Sequence, residues 1–134
     1  MKVLIVDDSA LDRLLLSVFF EEIAETDFVE NGQEAIDAVV QTIGADSPYD
    51  LICLDIVMPV MDGLEALRQI RLTEKYNGLR RAKIFMITSS SSPDDMVTAI
   101  GTGDCDDYIV KPVVVDTFFK LLGKHDLLGG TFEE

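Results

Sequence analysis

The chain has 134 residues, 48% of them hydrophobic, with 25 acidic against 11 basic side chains and a net charge of −14. That length suits one compact domain with its own core. The acidity argues against direct binding to nucleic acid or to anionic membrane surfaces, since both need basic side chains facing phosphates. No apolar run approaches the roughly 20 residues that span a bilayer. The short run after Met1 ends in acid and lacks a cleavage-site pattern, so a soluble cytoplasmic protein is the expectation.

Taken in chain order, five apolar runs alternate with five helix-like segments. Lys2–Val6 is continuous and apolar, the pattern of a parallel strand covered on both faces. Ser9 is placed to cap a first helix, with Asp12 three residues on as a weak capping box. Leu11, Leu14, Leu15 and Val18 follow at helical spacing. A short strand, Phe28-Val29, leads through the Asn31-Gly32 turn into a second helix with Ile36, Val39, Val40 and Ile43 on one face. After the Pro48-Tyr49-Asp50 break, Leu51-Ile52-Cys53-Leu54 is a third buried strand that ends in Asp55. Met58-Pro59 and Asp62-Gly63 mark a loop, and Leu64, Leu67 and Ile70 give the third helical stripe.

Past the Asn77-Gly78 turn, Ile84-Phe85-Met86-Ile87 is the fourth strand, ending in Thr88. Ser92-Pro93-Asp94-Asp95 is a strong helix start: a capping Ser, Pro at the first helical position, acids in the first turn. Tyr108-Ile109-Val110 is the fifth strand and ends in Lys111-Pro112. Val115, Phe118, Phe119 and Leu122 form the last stripe, and Gly129-Gly130 opens a tail. This alternation predicts βαβ units, a parallel sheet covered on both faces and a (βα)₅ architecture. The two cysteines, Cys53 and Cys105, form no CxxC or Cys/His cluster, so no zinc site is expected. His125 is read as part of a solvated helix end, without a catalytic role.

The chemistry lies at the strand ends. Asp7 and Asp8 follow the first strand, Asp55 the third, Thr88 ends the fourth and Lys111 follows the fifth. In a doubly wound sheet these ends share one edge, where ligands bind at the point of strand-order reversal. With the order 2-1-3-4-5, Asp7, Asp8 and Asp55 would crowd together. Crowded carboxylates repel, and one would take up a proton unless a cation intervened. Mg²⁺ suits such a set, with one or two carboxylates, waters and a substrate phosphate around it. A hydroxyl and an ammonium opposite are the groups a phosphoryl oxygen needs. Together they describe a carboxylate that receives a phosphoryl group.

At this point the sequence resembles the response-regulator receiver domains of two-component systems, the CheY-like family. The matching stretches are Val3-Leu4-Ile5-Val6-Asp7-Asp8-Ser9, Asn31-Gly32-Gln33-Glu34-Ala35, Asp55-Ile56-Val57-Met58-Pro59-Val60-Met61-Asp62-Gly63, Ile87-Thr88 and Asp107-Tyr108-Ile109-Val110-Lys111-Pro112. The resemblance covers residues 2 to 123. It implies a flavodoxin-like fold, a receiver domain over residues 1–125 and a short tail over 126–134 with no output domain. It implies a phosphoacceptor at Asp55 and a Mg²⁺ site, with Mn²⁺ as an alternative, formed by Asp7, Asp8, Asp55 and the backbone carbonyl of Val57. Lys111 and Thr88 would bind the phosphoryl group, Tyr108 would relay the switch to the face of helix four, strand five and helix five, and Lys111-Pro112 would be a cis peptide.

The implied activity is a signalling switch that assists its own phosphorylation and dephosphorylation, not a turnover enzyme. The implied donor is a sensor histidine kinase or a histidine phosphotransfer protein. The output would be a downstream protein target reached by contact or by onward phosphotransfer, through a monomer or a phosphorylation-dependent dimer. Three positions depart from the pattern: Ser89, the first of the run Ser89-Ser90-Ser91-Ser92, stands where the family usually has Ala after the switch Thr, Gly103-Asp104-Cys105-Asp106-Asp107 is one residue longer than the usual loop, and Val113-Val114-Val115 runs on without a polar cap. An apolar Val57 implies slow self-dephosphorylation, because it cannot orient an attacking water. Three other readings are weighed. A receiver that binds partners without phosphorylation would share these motifs. A haloacid-dehalogenase-type phosphatase would carry Asp-x-Asp directly after the first strand, where Asp7-Asp8-Ser9-Ala10 stands, and a flavin carrier would carry a Ser/Thr-rich phosphate loop there.

Overall fold

A computed structural model describes residues 1–45, 47–90, 92–102 and 104–128. Ser91 of the serine run, Gly103 of the lengthened loop and residues 129–134 of the expected tail lie outside the described residues. The elements are β1 (Lys2–Val6), α1 (Ala10–Phe20), β2 (Glu25–Val29), α2 (Gly32–Val40), β3 (Leu51–Leu54), α3 (Gly63–Tyr76), β4 (Lys83–Thr88), α4 (Pro93–Gly101), β5 (Asp107–Val110) and α5 (Val115–Lys124). All strand pairs are parallel, in the order β2-β1-β3-β4-β5. The reversal falls between β1 and β3, as the (βα)₅ reading requires.

The continuous apolar strands are explained by the pleat, which sends alternate residues to opposite faces. Leu4, Val6, Ile52, Leu54, Ile84 and Met86 pack under α2, α3 and α4 with Ala35, Val39, Leu67, Ile70 and Ala99. Val3, Ile5, Leu51, Cys53, Phe85 and Ile87 pack under α1 and α5 with Leu16, Phe20, Phe118 and Leu122. Phe118 is the centre of the second layer, with its ring 5.5 Å from Phe20 and 6.1 Å from Phe85. Each fully buried Val, Leu, Ile, Phe or Met side chain in these layers contributes about 1.5–3 kcal/mol by burial.

The caps set where helices begin. Ser9, Asn31, Asp62 and Ser92 each accept a backbone N–H three residues on, from Asp12, Glu34, Glu65 and Asp95. Asn31-Gly32 is therefore a helix start and not only a turn. Helix α5 has Val114 at its N-cap position and no side-chain cap, as the unbroken valine run implies.

Several expectations are corrected. On α1, Leu11, Leu14, Leu15 and Val18 are exposed, and Leu16 and Phe20 face the sheet instead. This helix has two apolar faces, so spacing alone does not choose between them. On α2 only Ile36 and Val39 of the expected stripe are buried, because the helix ends at Val40 and Ile43 lies beyond it. His125 is not solvated: its side chain is 12% exposed, its ring lies 5.1 Å from Phe85, and Nε2 is 3.0 Å from Asp107 Oδ2. Strand β2 is longer than Phe28-Val29, beginning at Glu25. Leu127 and Leu128, assigned to the tail, pack against the α1/α5 layer.

Candidate functional site

The sheet register builds the site. Val6 pairs with Leu54, Leu54 with Met86, and Thr88 with Val110. The bonding continues one residue into the loops: Asp55 N–H donates to Val6 O (3.1 Å), Asp7 N–H to Val29 O (3.2 Å) and Lys111 N–H to Thr88 O (2.8 Å). Side chains at these positions are thus held by the rigid edge of the sheet. Asp7, Asp55 and Thr88 are buried and Asp8 is exposed.

One carboxylate oxygen from each of Asp7, Asp8 and Asp55 lies within 4.8 Å of the others. Burial pushes the Asp7 carboxyl above the usual range, and the Asp55 charge adds to this, against hydrogen bonds from Lys111 and the Ser9 N–H. An all-oxygen carboxylate set with an unfavourable charge of its own is the donor chemistry that a hard divalent cation relieves. Lys111 Nζ donates to Asp7 Oδ2 (2.8 Å), Asp12 Oδ2 (2.7 Å) and Asp55 Oδ2 (3.2 Å). Burial works against the Lys111 charge, yet Asp12, Asp7 and Asp55 together hold its ammonium above the ordinary lysine range. Asp55 Oδ1 accepts from the Ile56 N–H at 2.7 Å, which fixes the carboxylate plane.

The sequence reading placed Asp12 only in the cap of α1 and missed its role at Lys111. A capping box would turn its side chain back to the Ser9 N–H. That N–H already donates to Asp7 Oδ1 at 2.9 Å, so the Asp12 carboxylate is released toward Lys111. Arg13, also unassigned from sequence, donates to the Asp7 carbonyl at 2.6 Å and brings a second positive charge to the β1 end.

On the far side, Thr88 Oγ1 accepts from the Ser90 N–H (3.2 Å), Ser90 Oγ donates to Asp95 Oδ2 (2.9 Å), and Tyr108 OH donates to the Ser90 carbonyl (2.9 Å). Ser90 therefore joins Thr88 to α4 and to β5. Val57, two residues after Asp55, is 67% exposed. The Lys111–Pro112 peptide is cis. The β3–α3 loop folds back tightly: Met61 N–H donates to Pro59 O at 2.8 Å around Val60, whose φ is 70°. Gly63 N–H donates to Ile56 O at 2.7 Å, which brings α3 against the backbone of Asp55.

The chain is similar to known proteins along most of its length. The family model described as "Response regulator receiver domain" matches residues 3–122. The transcriptional regulatory protein ResD of Bacillus subtilis is 43% identical over 112 residues, covering 83% of this chain and 42% of ResD. The chain therefore spans less than half of that relative. The chemotaxis protein CheY of Bacillus subtilis is 33% identical over 128 residues, covering 92% of this chain and 95% of CheY. Among solved structures, the response regulator TrrA of Thermotoga maritima in complex with Mg²⁺-BeF matches with a TM-score of 0.75 and 33% identity, covering 92% of this chain and 97% of that one.

Proposed function

The chain belongs to the response regulator receiver domain family, and on that premise we propose that it is a phosphorylation-activated switch of a two-component phosphorelay with Asp55 as phosphoacceptor. The observation that carries this reading is the meeting of Asp55 with Asp7, Asp8 and Lys111 at one sheet edge. Asp55 Oδ attacks phosphorus as the donor's bond to phosphorus breaks, and the sheet edge holds the carboxylate in line. Lys111, 3.2 Å from Asp55 Oδ2, offsets charge on the transferred group. Asp7, Asp8 and Asp55, with the Val57 carbonyl, would hold Mg²⁺ or Mn²⁺, which when bound neutralises phosphoryl oxygens. TrrA, similar over nearly its whole length, was solved with Mg²⁺-BeF.

Thr88 is the hydroxyl that turns to the phosphoryl oxygen. To do so it gives up the Ser90 N–H, and Ser90 is also where Tyr108 is tethered. The switch thus propagates from Thr88 through Ser90 to Tyr108 and α4, a population shift between two packings. The phosphodonor is a sensor histidine kinase or a histidine phosphotransfer protein. The exposed apolar side chains of α1, beside the site, support delivery by a protein surface. The output is a protein contact on the face of α4, β5 and α5, with residues 1–125 as the receiver unit.

Intact mass after incubation with acetyl phosphate tests the reading. One added phosphoryl group is expected with Mg²⁺, none after chelation and none in Asp55→Asn. A folded wild-type protein that gains no mass and binds no beryllofluoride would instead be a phosphorylation-independent binding module. Val57→Asn is expected to hasten decay of the phosphorylated form by about tenfold, roughly 1.4 kcal/mol of barrier, because an amide over the site can orient water. A decay rate unchanged from wild type in a quench time course would refute a water-excluding role for Val57.

A further inference from the structure

We infer that Asp12 is a positioning residue that competes with the phosphoryl group for Lys111 and so favours the resting state. The inference rests on the reading of Asp55 as phosphoacceptor. An ammonium has three N–H donors and no acceptor. All three are committed here, to Asp7, Asp12 and Asp55, and the contact to Asp12, 2.7 Å, is shorter than that to Asp55, 3.2 Å. A phosphoryl oxygen on Asp55 needs one of those donors. Asp7 belongs to the group of three acids that can turn to a cation. Asp12 lies outside that group, and its carboxylate is paired with Lys111.

Two effects of Asp12 point the same way. Its carboxylate stabilises Lys111 in the resting arrangement, and its charge lies next to the anionic group that phosphorylation introduces. It is also a removable constraint. The side chain is 33% exposed, and the cap of α1 uses the Asp12 backbone N–H rather than its carboxylate. Neutral variants should therefore fold.

The test titrates beryllofluoride, a phosphoryl mimic, at saturating Mg²⁺ and reads bound fluoride by ¹⁹F NMR. Asp12→Asn is expected to bind it about 3- to 10-fold tighter than wild type, the size of one charge contact at a partly exposed site. Asp12→Glu, which returns the charge, should lie within about twofold of wild type. Glu22→Gln, an equal charge change in the exposed turn after α1, should match wild type. Equal or weaker binding in Asp12→Asn overturns the inference, and so does an equal gain in Glu22→Gln. Wild-type protein that binds no beryllofluoride at all overturns the phosphoacceptor reading, and this inference with it. Wild-type binding with no gain in Asp12→Asn sinks this inference alone.

Discussion

Gly63→Ala is expected to cost about 3 kcal/mol or more of stability, at or above the upper end for an added methyl in a packed site. A Cβ at position 63 would lie 1.8 Å from Asp55 O and 2.8 Å from Ile56 Cα. Both are backbone atoms, so no side chain can move aside. Relief requires that α3 retreat or that Asp55 shift, and a shift of about 1 Å at a reacting group can cost on the order of 100-fold in rate. Gly78→Ala is the matched comparison. It has φ +62 and nothing within 4 Å of its added Cβ. It carries only the left-handed penalty of about 1–2 kcal/mol and should leave phosphorylation of Asp55 unchanged. Urea unfolding and acetyl phosphate uptake on both variants separate the two effects. A Gly63→Ala protein with wild-type midpoint and uptake would mean that the β3–α3 junction is looser than this packing requires.

The residues at the sheet edge were legible in the sequence because a doubly covered parallel strand is an unbroken apolar run. Its end is then marked by the first polar residue, as at Asp7, Asp55 and Thr88. The capping residues Ser9 and Ser92 were legible from chemistry within four residues. Strand β2 was only half visible, since Glu25, Thr26 and Asp27 lie on an edge strand and are polar or half exposed. The buried face of α1 was hidden by a second apolar stripe. The turn at Val60 was invisible because a branched side chain at φ 70° runs against local preference. Asp12, Asp95 and Arg71 were missed for a different reason. Asp12 and Arg71 find partners 99 and 35 residues away, and the role of Asp95 depends on where the fold places Ser90. For Asp12 and Arg71 no local pattern carries such information.

Arg71 carries the second large effect. Its side chain is 10% exposed, and it donates to Glu74 Oε1 (2.8 Å), Asp106 Oδ2 (3.0 Å), Ala82 O (2.8 Å) and Asp104 O (2.7 Å). Those bonds clamp the loop before β5 onto α3, close to the face assigned to output. Arg71→Met keeps much of the apolar stem but leaves Glu74 buried without its cation and two carbonyls without their donor. The expected cost is about 3–5 kcal/mol at pH 7, the usual result of breaking one side of a buried pair. Replacing both partners, as in Arg71→Met with Glu74→Leu, should recover part of that loss, because the stranded charge is gone.

The pH dependence follows from Asp106. Burial alone would raise its carboxyl, but hydrogen bonds from Arg81 and the Ile84 N–H, and the charges of Arg81 and Arg71, hold it below the usual range. A depressed carboxylate contributes stability above its unfolded pKa of about 4 and loses it as pH falls through the folded value. Arg71→Met weakens that contribution, so the gap between variant and wild type should be widest at neutral pH and narrow once Asp106 is protonated in both. Denaturant midpoints from pH 7 down into the acid limb measure this. A gap under about 1 kcal/mol at pH 7, too small for a broken buried pair, or one that stays constant into acid, would show that the Arg71 network does not hold this loop.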